Sequence, residues 1–481
     1  MKHQEDLGSV LTRETTVSMF KKAYKDLGIA MLLIQSNIVK GCGIGASTIF
    51  TALLLLVFTG KNLYIAMNSR YSVDFEGKKD AYYRFLKDPH FNWSKFVLRL
   101  AFRVSCICCS TFTGTPRPCF FVMDDSIIKK ESSSNVELLS WIFDHVCGRT
   151  IKSFNLLMLG WTDGYSFLPV QFLMMCSEKM VKKSLEKDWD TDPRTCAGRT
   201  KKMAQWKKLD AAVEMVRRAM EAGFEVDALL VDTWFTNEPF IKKMLGIGMD
   251  TIGMLKDHHQ QYWYHGKLYN LKGVFGKAWS RKKGEIIGSI IVSTKYSKIP
   301  VKIVFVVNRN KKKEWIAILS TNVDLSDEQI IERYGNRWSI ECCFKVMKGM
   351  LGLGKEFQTR SYAATIASTA LVITRYIILE YLHRINTDGR TLNEMCRDLY
   401  DEVPRIEFDE ALQSLLALVV RTISNHPNSP VAVELRAAVT IWYIGLPKKV
   451  ADILPELCFG ADEAKADIPI PVREKDVAQH A

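Results

Sequence analysis

The sequence predicts an α/β chain, with a mixed sheet that carries a β-rich insertion and helical regions flanking it on both sides. Three observations lead there. An apolar run from Phe120 to Met123 meets two acids, Asp124 and Asp125, and further strand-like runs follow at 155–160, 167–175 and 226–231, the last meeting Asp232. Residues 250–313 repeat the strand pattern, with turns at His265-Gly266 and Arg309-Asn310-Lys311. Residues 1–115 and 357–460 instead space their apolar side chains at helical intervals.

A chain of 481 residues with 47% hydrophobic and 25% charged residues has room for several domains around at least one large core. Its net charge of +13 favours a polyanionic partner such as nucleic acid. The first residues, MKHQEDLGSV, carry acids and lack the apolar centre of a secretory signal, so no export is expected. The apolar run from Ala46 to Phe58 is shorter than the roughly twenty residues a membrane helix needs, and is expected to be a buried core helix. No membrane association follows. Twelve cysteines without the regular spacing of a disulfide framework point to reduced thiols in a cytosol, and the cluster Cys106, Cys108 and Cys109 has no further ligands at zinc-site spacing nearby.

Within residues 1–115, Arg84, Lys87, Lys95 and Arg99 interleave with aromatics, which suits either plain helix packing or recognition of a nucleic-acid end. From Pro116 and Pro118 the pattern turns to strands. The run ending in Asp124 and Asp125 has the form of a central strand delivering carboxylates to its carboxyl end. Residues 155–160 and 167–175 flank Thr162-Asp163-Gly164 and read as a hairpin. The polar stretch from Lys179 to Lys208 reads as a loop into a helix near 204–222, with Arg199, Lys201, Lys202, Lys207 and Lys208 crowded at its end. Residues 116–249 thus open the sheet, 250–313 form the insertion, and 314–356 close the sheet with a strand from Trp315 to Thr321 and a helix. A polar tail follows from 461. Fourteen basic against three acidic residues give the 250–313 segment a net +11, expected to contact phosphates.

The helix is expected from about Asp327 to Met350, with Trp338, Ile340, Phe344, Val346 and Met347 among its apolar residues. At 100° per residue, Tyr334, Arg337, Glu341 and Lys348 fall at roughly 0°, 300°, 340° and 320°, within a stripe about 60° wide. That stripe is about 21 Å long, or about six base-pair steps of duplex. Asp125 or Asp124, Asp232 and Glu341 therefore lie on the first strand, the fourth strand and the late helix, in that order. Three such carboxylates can hold two Mg²⁺ ions, for which Mn²⁺ would substitute, and so assist an in-line displacement at phosphorus. Zinc-protease, P-loop and serine-hydrolase patterns are absent.

The spacing Y-x2-R-x3-E-x6-K resembles the YREK signature of bacterial insertion-sequence DDE transposases of the insertion sequence family four type, whose catalytic domain is RNase H-like. Over roughly 119–355 the resemblance also takes in Asp124-Asp125-Ser126, the strand ending in Asp232 and the β-rich insertion. The first acid of that family is followed directly by a small hydroxyl residue, which favours Asp125 and leaves Asp124 open. The resemblance implies that Glu341 is the catalytic acid, that Asp125, Asp232 and Glu341 hold the metal, and that Tyr334, Arg337 and Lys348 hold phosphates. Trp315 looks like the tryptophan on which a flipped base stacks, and Lys345, Arg309, Lys311 and Lys312 complete the expected DNA contacts. Trp338 is read as core. The resemblance further implies a transposase that cuts terminal inverted repeats and joins them to target DNA, as a homodimer on paired ends, in a bacterial cytoplasm at the nucleoid. An RNase H-like nuclease without strand transfer and a non-enzymatic DNA-binding relative are the alternatives.

Overall fold

The computed structural model describes residues 16–68, 75–111, 117–133, 135–144, 147–176, 192–256, 260–278, 284–308, 311, 314–385, 389–425 and 429–446. The chain forms two compact units, one of residues 1–69 and 74–402, the other of 70–73 and 403–481.

The first unit begins with helices α1 (Thr16–Asp26), α2 (Ile29–Gln35), α3 (Ala46–Leu56), α4 (Leu63–Asn68), α5 (Lys79–Lys87) and α6 (Trp93–Thr111). The apolar run predicted as core is α3 and the turn after it, with Ile49, Phe50, Leu53, Leu56 and Phe58 all 0% exposed. The aromatics between the basic residues of α5 and α6 also face inward. Phe50, Phe85, Phe91, Trp93 and Phe96 pack ring on ring at 5.1–6.2 Å, while Arg84, Lys87 and Lys95 are exposed. The interleaving is thus an amphipathic helix pattern, and these rings are packed rather than open to a base.

Next come β1 (Phe120–Lys129), β2 (Ser140–Asp144), β3 (Arg149–Thr162), β4 (Phe167–Met175), α7 (Cys196–Ala204), α8 (Lys208–Glu221), β5 (Ala228–Val231), α9 (Glu238–Gly246) and β6 (Thr251–Leu255). The hairpin predicted around Thr162-Asp163-Gly164 joins β3 to β4. β1 lies antiparallel to β3 and parallel to β5, and β5 lies parallel to β6. Strands β4, β3, β1, β5 and β6 in that spatial order make an RNase H-like mixed sheet. β4 is buried at every position, so it reads as a continuous apolar run rather than an alternating one.

β1 does not stop at its acids. Its ladder with β3 continues through Asp125↔Leu157 to Lys129↔Ser153, which sets Asp124 and Asp125 in mid-strand. The segment from 250 also belongs to this sheet: β6 is a core strand between β5 and β11 (Trp315–Ser320), and β10 (Pro300–Val307), β9 (Ile286–Thr294), β7 (Gln261–Tyr264) and β8 (Lys267–Asn270) extend it outward. Helix α10 (Leu271–Phe275) covers that extension, whose core includes Leu271, Val274, Val292, Ile303 and Phe305.

The long helix predicted from Asp327 to Met350 is two helices, α11 (Asp327–Gly335) and α12 (Trp338–Gly349). Ser326 and Gln329 form a capping box at the start of α11. At the junction the amides of Asn336, Arg337, Ser339 and Ile340 bond three residues back instead of four. Gly335 is a poor helix former, the Asn336 amide donates to the carbonyls of Glu332 and Arg333, and the Ser339 hydroxyl donates to that of Asn336. These side chains compete for the backbone and tighten the turn.

Helix α13 (Tyr362–Ile385) is long and apolar enough to cross a membrane, but 89% of its apolar window is buried inside the protein. It packs against α1, α3, α5, α6, α12 and β4 as the central helix of the unit. Helix α14 (Leu392–Asn425) runs out of this unit, and the second unit holds its later part together with α15 (Pro430–Ile444).

Candidate active site

Successive side chains of a strand point to opposite faces, and on β1 this divides the acids. Asp124 and Ser126 face α12: an Asp124 carboxylate oxygen lies 3.4 Å from the Arg337 guanidinium, and Ser126 Oγ accepts from Lys348 Nζ at 2.7 Å. Asp125 faces α8, where it accepts from Lys208 Nζ at 2.9 Å and from Asn155 Nδ2 at 2.5 Å. Of the two acids left open by the sequence, Asp124 is thus the one turned towards α12. Ser126 does follow Asp125 in sequence, but Asp124 is the acid on the side of Glu341.

Asp232 arrives beside Asp124 because β1 and β5 run parallel with Met123 opposite Val231, so the next residue on each strand is an aspartate. The chain turns sharply there. Asp232 Oδ1 accepts from the amides of Trp234 at 2.9 Å and Phe235 at 3.3 Å, and its backbone carbonyl accepts from Thr236 Oγ1 at 2.6 Å. This turn lies against β6 at Gly253, where a Cβ would stand 2.2 Å from Thr236 Oγ1, so only glycine lets strand and turn approach.

The third acid, Glu341, sits in the first turn of α12 and pairs with Arg337. Arg337 thus bridges the strand acid and the helix acid, with 14% of its side chain exposed. Burial pushes the Asp124 carboxyl up to about 7, and the negative charge of Asp232 adds to the rise. Burial also raises Asp232, against the pull of its two amide donors. The site is a half-buried concentration of negative charge that Arg337 compensates in part.

Two of the four signature side chains reach β1 directly. Arg337 and Lys348 bond to β1, and Tyr334 lies beside Arg337, its phenol pushed up to about 12 by burial. Burial lowers the Lys348 ammonium, with Lys129 adding to the effect. Lys345 is exposed on the same helix, and Trp338 is 62% exposed, so its expected place in the core is corrected.

Trp315 stands apart from this cluster. It opens β11 with one face against Phe275, ring centres 4.8 Å apart and planes 20° apart, and meets Phe305 edge-on at 5.1 Å. Lys311 pairs with Glu314 at 3.1 Å, and Lys302, one of the basic residues counted for phosphate contact, is tied to Asp327 at 2.8 Å. Arg309 and Lys312 lie outside the described residues.

Three residues of the site are not legible in the sequence pattern. Lys208 was one of a crowd of basic residues, Asn155 a polar position in a strand, and Trp234 an aromatic in a turn. Lys208 and Asn155 reach Asp125 only through tertiary packing, and Trp234 reaches Asp232 through the turn that follows it.

Among the described residues no three acidic, histidine or cysteine side chains converge as a ready metal cage. The donor chemistry nevertheless suits a hard divalent cation: carboxylate oxygens from β1, β5 and α12, two of them with raised pKa because their charge is buried near like charge. Asp232 keeps Oδ2 clear of the turn bonds that occupy Oδ1. Arg337 occupies the space between Asp124 and Glu341.

No curated protein matches the chain. The family model described as DDE superfamily endonuclease matches residues 50–266, spanning β1 with its aspartates and β5. The one described as Archaeal putative transposase ISC1217 matches residues 194–383, spanning β5, the sheet extension and the α11–α12 pair. Asp232 lies in both matches, Asp124 in the first and Glu341 in the second. Over residues 50–383 the chain is thus similar to DDE-type endonucleases and transposases, which supports a transposase-type nuclease.

Proposed function

We propose that the chain is a DNA transposase of the YREK type, cutting the inverted-repeat ends of an insertion sequence and joining them to target DNA in the cytoplasm, as a homodimer on paired ends. The observation that carries this reading is the meeting of Asp124, Asp232 and Glu341 from β1, β5 and α12 around one arginine. The two overlapping family matches support the coarser activity. Asp124, Asp232 and Glu341 would hold divalent magnesium or manganese, which supplies activation of the attacking oxygen and neutralises charge on the leaving one. Asp125, tied to Lys208 and Asn155, orients the other face of the strand.

Arg337 keeps the two outer carboxylates in place and spares the fold the full cost of buried like charge. Lys348 and Lys345, on α12, hold the phosphates of the strand being cut, and Tyr334 supports Arg337 from behind. The exposed Trp338, next to Arg337 in sequence, adds an apolar contact at the DNA surface.

The test uses a supercoiled plasmid carrying the DNA that flanks the reading frame, a labelled second plasmid, and Mg²⁺ or Mn²⁺. Cut ends joined to the second plasmid are expected from the wild type, and Glu341→Gln should bind the same DNA without cutting it. Cutting without joining would favour an RNase H-like nuclease, and binding without cutting a non-enzymatic relative. Cleavage by Glu341→Gln at the wild-type rate would remove the active-site assignment.

A further inference from the structure

Helix α6 ends in the cysteine cluster singled out in the sequence, and the helix sorts it. Cys108 turns inward, 1% exposed, while Cys106 and Cys109, three residues apart, share an exposed face. A fourth cysteine comes to them from beyond the helix. Cys119, the residue before β1, is held by Asp227: its amide donates to Asp227 Oδ2 at 3.0 Å, and its carbonyl accepts from the Asp227 amide at 2.8 Å. The Cys109 and Cys119 side chains are hydrogen-bonded to each other. Both line, with Cys106, one cavity of about 760 Å³.

The bond between the two sulfurs has a direction. Burial pushes the Cys119 thiol up to about 12, and its neighbour Cys109 adds to the rise. Partial burial raises Cys109 too, but the hydrogen bond from Cys119 pulls it back. Cys119 therefore keeps its proton and donates it, and Cys109 is the sulfur that the bond favours as thiolate. An exposed sulfur that accepts from a covered thiol is what thiol–disulfide exchange needs. One attacks an incoming disulfide, and the other stands beside it to finish the reaction.

We infer that Cys109 and Cys119 form a dithiol site that exchanges with small-molecule disulfides such as oxidised glutathione and closes into an intramolecular disulfide. Cys109 gives its proton to water, and its thiolate attacks one sulfur of the incoming disulfide. That S–S bond breaks, and the other half leaves as a thiolate that takes up a proton. Cys119 then loses its own proton and attacks the Cys109 sulfur, forming the Cys109–Cys119 bond and expelling the second half in the same way. Two protein thiols are oxidised, and one disulfide is reduced to two thiols. The product ties the last turn of α6 to the residue in front of β1, the strand that carries Asp124.

The experiment incubates the reduced full chain with oxidised glutathione, blocks the remaining thiols with iodoacetamide and maps the digest by mass spectrometry. The wild type should form a Cys109–Cys119 link before any other pair among its twelve cysteines, with the loss of two hydrogens, and should return to the dithiol in dithiothreitol. The rate should rise with pH as more of Cys109 ionises. Cys119→Ser should stop halfway, with glutathione retained on Cys109. Cys106→Ser should form the same link as the wild type. A wild type without the Cys109–Cys119 link overturns the site, whichever other cysteines take up glutathione. So does a link from Cys109 to Cys106 in its place, or a Cys119→Ser chain that gathers no more adduct on Cys109 than the wild type does.

Discussion

The Arg337 guanidinium reaches from the junction of α11 and α12 to the Asp124 carboxylate on β1, 3.4 Å away, while also pairing with Glu341. One cation therefore links two acids that are more than two hundred residues apart in sequence, and their separation is set by helix packing on the strand. Asp125 is adjacent to Asp124 but turned to the other face, where Lys208 holds it.

Exchanging either aspartate for asparagine should give unequal results. Asp124→Asn removes a charge from the face shared with Glu341, and cleavage of the plasmid described above should fall at least about 10²-fold, since such charge stabilisation amounts to several kcal/mol. Asp125→Asn should cut more slowly than wild type but far faster than Asp124→Asn. Equal losses, or the reverse order, would return the role to Asp125.

The ionisation of Asp124 also leaves a mark on stability. Its carboxyl stands at about 7 in the fold against 3.8 ordinarily, so between those pH values the folded chain keeps a proton that the unfolded chain has released. Stability then falls as pH rises through that window. Asparagine has no proton to lose, so the Tm of Asp124→Asn relative to wild type should be higher at pH 8 than at pH 5 in metal-free buffer. Thermal denaturation at the two pH values measures it, and a constant difference would refute the shift.

Lys348 bonds to Ser126, and the function proposed above has it hold a DNA phosphate. Lys348→Ala should weaken duplex binding and make the slope of log Kd against log salt shallower by about 0.9, the release of one phosphate's counterions. Titrations at four or five salt concentrations decide this. An unchanged slope would confine the lysine to its bond with β1.

Far from the acids, Arg375 on α13 is 0% exposed and pairs with Glu356 at 2.6 Å while donating to the carbonyls of Leu53 and Leu54. Arg375→Met strands a buried carboxylate whose pKa burial already raises. Urea denaturation should show a loss of about 3–5 kcal/mol. Adding Glu356→Gln should recover part of it, and a double variant less stable than the single one would mean that the pair is not the source of the loss.

What the sequence by itself determined was local. The order of Asp124/Asp125, Asp232 and Glu341, the strands that carry the aspartates, the β3–β4 hairpin, the core nature of Ala46–Phe58 and the polar spacing on the helix all rest on intervals of a few residues, which backbone geometry fixes. Tertiary structure decided the rest. Which face of β1 meets α12 depends on the packing of a helix two hundred residues later, and it is the face that carries Asp124. Whether a tryptophan is covered depends on distant neighbours, so Trp315 packs on Phe275 while Trp338 and Trp234 stand in water. A single continuous helix gave way at Asn336 to side chains that compete for its carbonyls. Helix α13, apolar enough for a membrane, is instead wrapped by the helices and the strand that pack against it, because the fold surrounds it with apolar partners of its own.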